Sequence, residues 1–164
     1  MKKEKFSEMN FIGKVFLPAQ IDKNKSYAQQ VQETENDPVF KKFLEKNGFT
    51  NQRSSLIVFA PETFMFWYGI VTDKKINQLP KQLNHFTLPA CEVAQIDTDN
   101  MNLGFFSQPL NFVIPTFLDK LAQTDVVFHE NPGDSKYPYL LTTLNLSTKK
   151  LAQSLYLDAS EQNN

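Results

Sequence analysis

The stretch Phe64-Met65-Phe66-Trp67-Tyr68-Gly69-Ile70-Val71-Thr72 constrains this chain more than any other. In an extended strand, successive side chains point to opposite faces. Phe64, Phe66, Tyr68 and Ile70 then share one face, and Met65, Trp67, Gly69 and Val71 the other. Both faces are apolar, so this strand belongs inside a sheet that is covered on each side. Residues 54–60 lead into it through Pro61-Glu62-Thr63, the pattern of a β-hairpin. Fifteen phenylalanines in 164 residues add to the same demand. So many rings either thicken a core or line an apolar cavity.

The remaining elements follow from local signals. Residues 10–17 read as a first strand ended by Pro18, and the polar stretch 22–36 tolerates a helix. A second helix is well punctuated. Asp37 can cap it, Pro38 suits its first turn and Gly48 suits a left-handed exit. Phe40, Phe43 and Leu44 form its apolar stripe. Residues 74–83 are a polar linker. Residues 84–97 form two strands broken at Pro89. Pro115 is expected to open a helix carrying Phe117, Leu118 and Leu121 to about Gln123. Residues 139–146 and 151–158 form a second hairpin around Ser147-Thr148-Lys149-Lys150, with a short helix over 148–158 capped by Ser147 as the competing reading. Residues 1–9 and 159–164 are expected as flexible ends.

The order is strand, helix, strand, strand, given twice, a weak duplication of about 80 residues. One domain over 10–158 results, with pseudo-repeats about 10–80 and 84–158. The expected class is α+β: two units pair into one antiparallel sheet, helices cover one face, and a crease on the other face can hold a ligand.

Composition narrows the function. Net charge is −1, with no basic stripe, so direct nucleic-acid binding is not expected. No apolar run is long enough to span a bilayer, and no signal-peptide core appears, so a cytoplasmic, non-membrane protein is expected. Cys91 is the one cysteine, and His85 and His129 lack metal-ligand spacing, so neither a disulfide nor a metal is expected. The glycines are scattered and form no nucleotide-binding loop, and the nucleophile elbow of common hydrolases is missing. No cofactor is implied.

Three passages resemble the GyrI-like small-molecule-binding family, which also supplies the effector-binding domain of bacterial multidrug-responsive transcription activators. Pro61 to Val71 is similar to the strand of the family's first repeat. Leu88-Pro89-Ala90-Cys91-Glu92-Val93-Ala94 is similar to the strand opening the second. Ser154-Leu155-Tyr156-Leu157-Asp158 is similar to the closing strand. The resemblance implies a small-molecule-binding domain across about 10–158. Fewer than about ten residues precede the first expected strand, too few for an attached helix-turn-helix reader, so a stand-alone member is expected. Cys91 replaces a usual Gly and Asp158 a frequent Pro. Ser154 stands where many members carry a glutamate used against cationic drugs and, in some enzymatic relatives, for hydrolysis. Thr143, the equivalent in the alternative register, is not acidic either. Weaker preference for cations follows.

The candidate ligand-binding residues are Trp67, Tyr156, Met65, Gly69, Ser154, Phe105 and Glu92. Trp67 is the repeat counterpart of Ser154 and could wall a planar or cationic ligand, worth about 0.5–2 kcal/mol in a cation–π contact. Tyr156 matches the family's pocket tyrosine. Met65 and Gly69 flank Trp67, the first as an adaptable lining and the second as a source of space. Phe105 could overhang the crease, and Glu92 is the carboxylate on a strand bordering it. Core packing is the competing reading for each ring, and a solvent-exposed sheet edge for Glu92. Cys91 reads as a small buried residue. No catalytic residue is assigned. The leading function is binding of an apolar or aromatic, conceivably cationic, compound for regulation or sequestration. The alternatives are a protein-interaction module acting on gyrase or a transcription regulator, and a hydrolase of strained electrophiles.

Overall fold

The computed structural model describes residues 1–159. Its strands are β1 (Lys2–Phe6), β2 (Met9–Phe16), β3 (Gln52–Phe59), β4 (Phe64–Thr72), β5 (Asn84–Leu88), β6 (Cys91–Thr98), β7 (Tyr139–Asn145) and β8 (Lys150–Tyr156). Its helices are α1 (Ala28–Asn36), α2 (Pro38–Asn47) and α3 (Leu110–Ala122). The strands form one antiparallel eight-stranded sheet in the order β1-β6-β8-β7-β3-β4-β2-β5. The class is the α+β arrangement expected. The 151–158 segment is a strand, which removes the helical alternative, and residues 160–164 of the expected tail lie outside the described residues.

The sheet is laid out as two halves, β7-β8-β6 and β3-β4-β2, meeting along the β3–β7 pair. Each half begins with a strand lent to the other: β1 precedes β2 but pairs with β6, while β5 precedes β6 but pairs with β2. The expectation of a flexible end over residues 1–9 is corrected here. Lys2-Lys3-Glu4-Lys5-Phe6 is an edge strand, and its charges suit that position because they discourage pairing with another molecule. These exchanges bend the sheet. In a flat sheet β1 and β2 would lie six strand spacings apart, about 29 Å. Only Ser7 and Glu8 separate them, and the chain from Phe6 to Met9 reaches at most about 11 Å. The sheet therefore curls, and rings on strands four spacings apart meet: the Phe86 and Tyr139 centroids are 5.5 Å apart.

The helices cover the convex face. Phe66 and Tyr68 of β4 pack there with Val31 of α1 and with Phe117 and Leu121 of α3, while Phe40, Phe43 and Leu44 of α2 pack on Ile12 and Ile70. Helix α1, poor in apolar anchors, is also tied by charge. Tyr68 Oη donates to Glu35 Oε1 at 2.7 Å, and Arg53 Nε donates to the same oxygen at 2.6 Å. Helix α2 follows its signals: Asp37 accepts from Val39 N at 2.9 Å, Pro38 opens the helix, and Gly48 exits at φ 76°. Helix α3 departs from its signals, beginning at Leu110 after Pro109 and holding Pro115 inside. Leu110, Val113, Phe117 and Leu121 make one buried stripe, whose packing outweighs the bond lost at Pro115, itself on the exposed side.

Gly13 and Gly69 pair directly on β2 and β4. A Cβ on Gly69 would meet Ile12 O at 2.0 Å, and one on Gly13 would meet Tyr68 O at 2.0 Å. Gly69 thus serves the close approach of two backbones and does not leave room for a ligand. Gly69→Ala is expected to cost about 3 kcal/mol in urea unfolding, the range of a forced overpacking. Asp37→Ala is expected to cost about 1 kcal/mol for the lost cap, and Asp37→Asn less. The Lys14 ammonium, hydrogen-bonded to Asp37 at 2.5 Å, holds that carboxyl below its usual range. That part of the stability is present above about pH 3.9 and is lost as pH falls through the lowered native value. The gap between wild type and Asp37→Asn should therefore close in acid unfolding measurements.

Candidate functional site

The concave face is built by strand register. One row across it runs Val15, Trp67, Leu56, Leu141, Ser154, Gln95. The neighbouring row places Met65 beside Val58 and Val58 beside Tyr139, with Tyr156 beside Val93 farther along. Trp67, Met65, Gly69, Ser154 and Tyr156 therefore share this face. Phe105 and Glu92 do not. Phe105 packs against the helix-side core and touches Phe106, so it does not overhang the crease. Glu92 alternates to the convex side beside Ala94 and pairs with Lys3 at 4.0 Å.

On β6 the carboxylate that does face the crease is Asp97, two residues past Gln95, and sequence reasoning missed it. The alternation Val93, Gln95, Asp97 carried the signal. Ser154 Oγ donates to Gln95 Oε1 at 3.3 Å, and Gln95 Nε2 donates to Asp97 Oδ1 at 2.8 Å. Lys150 Nζ and Lys2 Nζ lie 3.4 and 3.6 Å from Asp97 Oδ2. Burial alone would raise the Asp97 pKa, but the Gln95 hydrogen bond and the two lysines outweigh it, and the group titrates below its usual range.

An open hollow around the indole ring was expected, and the structure corrects this. Trp67 is 5% exposed, flanked edge-on by Phe11 at 6.2 Å and Phe86 at 5.8 Å. The contacts continue from Phe86 to Tyr139 at 5.5 Å, from Tyr139 to Tyr156 at 5.5 Å and from Tyr156 to Phe6 at 6.1 Å. All are T-shaped, a favoured geometry for aromatic rings. The open volume, about 560 Å³, lies farther along the same face, toward the Gln52 end of β3 and the Lys150 end of β8, lined by Lys2, Gln52, Gln95, Asp97, Thr143 and Lys150 among others.

The exchanged strands each lend a ring to the filled part. Phe86 of β5 lies opposite Phe11 and Phe6 of β1 opposite Cys91, equivalent places in the two halves. Glu4, two residues before Phe6, points to the same face and lies 3.5 Å from Lys2 Nζ.

Among the described residues, three buried side-chain polar atoms have no hydrogen-bond partner, and two of them, Trp67 Nε1 and Tyr156 Oη, belong to the aromatic cluster of the crease. Buried polar groups are nearly always paired, so two orphans in one cluster mark it for function. Burial pushes the Tyr156 phenol well up, so it keeps its proton. Burial also raises the half-buried Cys91 thiol, which donates to the Leu157 carbonyl at 3.3 Å. Among the described residues no cluster of three His, Cys, Asp or Glu is placed to hold a metal ion, and no helix is long and apolar enough to cross a membrane.

No family model and no curated protein matches the sequence. Solved structures share the fold. SAV2435 bound to tetraphenylphosphonium superposes with a TM-score of 0.57 at 7% identity, over 99% of this chain and 96% of that one. A protein from Staphylococcus aureus MU50, solved as a candidate bacterial transcription regulator, gives a TM-score of 0.50 at 7% identity, over 96% and 97%. At such identity the likeness establishes the architecture.

The unpaired hydroxyl makes a direct prediction. Tyr156→Phe removes a buried polar atom without a partner and keeps the ring, so the protein should gain about 1 kcal/mol in urea unfolding at pH 7. A loss of similar size would mean that the hydroxyl is paired in solution.

Proposed function

We propose that this chain is a small-molecule-binding protein of the GyrI-like type, taking a compact ring compound on its concave face. The observation that carries the reading is the aromatic cluster with two buried, unpartnered polar atoms, set on the same face as a cavity of about 560 Å³. That volume is within the usual range for small-molecule sites. The fold shared with a protein solved with tetraphenylphosphonium bound supports a small-molecule-binding role. So do the order and spacing of the three sequence passages that resemble the family.

Binding requires part of the aromatic cover to yield. The piece best placed to do so is β5, five residues long and hydrogen-bonded on one side only, to β2. Phe86 is half-buried there, while Trp67 and Tyr156 sit on inner strands. A ligand that replaces the Phe86 ring keeps the edge-to-face contacts and covers the indole in its stead.

The test uses Trp67, the single tryptophan of the chain. Titration of the full chain with planar dyes, quaternary amines and tetraphenylphosphonium should give saturable quenching or a spectral shift with at least one compound. Thermal unfolding should move upward with the same compound, since a ligand that binds the native state stabilises it. Unchanged emission and an unchanged midpoint across the whole set would overturn the reading.

A further inference from the structure

The chemistry of the crease narrows the class of compound, an inference that rests on the proposed binding role. We infer that the ligand is a planar aromatic compound carrying a hydrogen-bond acceptor, such as a ring carbonyl, that displaces part of the ring cover and accepts from a buried donor of the cluster, Trp67 Nε1 or Tyr156 Oη. Three observations converge on it.

The first is the pair of orphan groups. An indole N–H can only donate, and a neutral phenol donates readily. Neither has a partner, and Trp67 is 5% and Tyr156 1% exposed. What would satisfy either is an acceptor on an incoming molecule, because a ligand offering only C–H edges or a shielded cation leaves the two groups as they are.

The second is the shape of the cover. The rings of Phe86 and Tyr139 lie in sequence between Trp67 and Tyr156, at centroid spacings of 5.8, 5.5 and 5.5 Å along that path. The site thus already accepts flat rings in edge-to-face contact. Phe86 packs edge-on against the indole and offers it no hydrogen-bond acceptor.

The third is charge. A cation taken from water into an apolar site needs a counter-charge or open ring faces there, and the rings here meet one another edge to face. The two rows around Trp67 and Tyr156 offer Met65, Val58, Tyr139, Val93, Leu56, Leu141 and Ser154, none of them acidic. The carboxylates on this face, Glu4 and Asp97, are each held by lysine: Glu4 by Lys2 at 3.5 Å, and Asp97 by Lys2 at 3.6 Å and Lys150 at 3.4 Å. A cation would have to displace those lysines and would gain nothing from the unpaired donors.

The experiment compares two compounds of the same outline, acridone, which is neutral with a ring carbonyl, and 10-methylacridinium, a cation with no acceptor. Each is titrated calorimetrically into the full chain. Acridone is expected to bind more tightly. Tyr156→Phe and Trp67→Phe keep a ring in place, and at least one of them should weaken acridone about tenfold, the effect of one lost hydrogen bond to a buried donor. The same changes should leave 10-methylacridinium unaffected. Phe86→Ala removes the competing ring and should strengthen acridone binding. Should that variant fold poorly, the two conservative variants decide the matter. Tighter binding of the cation, acridone affinity untouched by both conservative variants, or acridone ignored while other ring compounds bind would each overturn the inference and leave a small-molecule receptor standing. Failure of every compound to bind wild type and Phe86→Ala alike would bring down the receptor reading itself.

Discussion

Two short connectors govern this molecule. Ser7-Glu8 and Pro89-Ala90 each join strands that sit toward opposite sides of the sheet order, β1 to β2 and β5 to β6. A flat sheet cannot satisfy either one, so the sheet must curl until its edges approach the strands they precede. Curling solves the problem set by β4, whose two faces are both apolar. The convex face is covered by helices. The concave face is covered by the sheet's own rim, with Phe86 from one lent strand and Phe6 from the other closing on rings of the inner strands. The glycine pair Gly13 and Gly69 permits the close backbone approach of β2 and β4 within this bend. Most of the phenylalanines go to the helix side, so the high ring count mainly thickens the core. The crease takes its aromatic character from a smaller set, with Trp67, Tyr139 and Tyr156 beside Phe6, Phe11 and Phe86.

The approximate repetition of the backbone is not matched by the side chains. Trp67 and Ser154 stand in one row, on β4 and β8, yet one is a large ring and the other a hydroxyl bonded to Gln95. Phe86 and Phe6 hold matching places in the two lent strands, yet one packs on an indole and the other on a phenol. One part of the crease is dry and filled with rings, while the part toward the Gln52 end of β3 and the Lys150 end of β8 is open and lined by amides and charges. A duplicated architecture has been made into two chemically different surfaces, and it is the ring-filled one that strands polar atoms.

Local signals made much of the fold legible. Asp37, Pro38 and Gly48 punctuate α2 through chemistry confined to a few residues, and both hairpins announce themselves through alternation and turn residues. The failures have a common cause, which is that partners distant in sequence decide them. Lys2 to Lys5 carries no apolar pattern, because an edge strand paired only to β6 needs none, and its lysines resemble a solvated end. Pro115 looks like a helix start, but the stripe from Leu110 to Leu121 is defined by the sheet beneath it. Glu92 was preferred as the carboxylate bordering the crease, and the register of β6 instead turns Asp97 toward it; one residue of phase in a strand exchanges the faces. Trp67 was placed on the correct face, but its cover by Phe86 depends on the lending of β5 across the halves, which no local pattern announces.

The comparison with solved structures bears on architecture, and at 7% identity the architecture leaves the occupant of the crease undetermined. What decides the occupant is the balance of donors, acceptors and charge on two rows of one face. The acidic groups on that face already have lysine partners, so the face presents little free negative charge. Its unmet demand is for acceptors. A buried donor without a partner costs the free protein stability that a correctly built ligand can return, and so the strain of the empty state becomes selectivity in the filled one. An acceptor-bearing ring is favoured twice, by the edge-to-face contacts it inherits and by the hydrogen bond from a buried donor that Phe86 cannot accept.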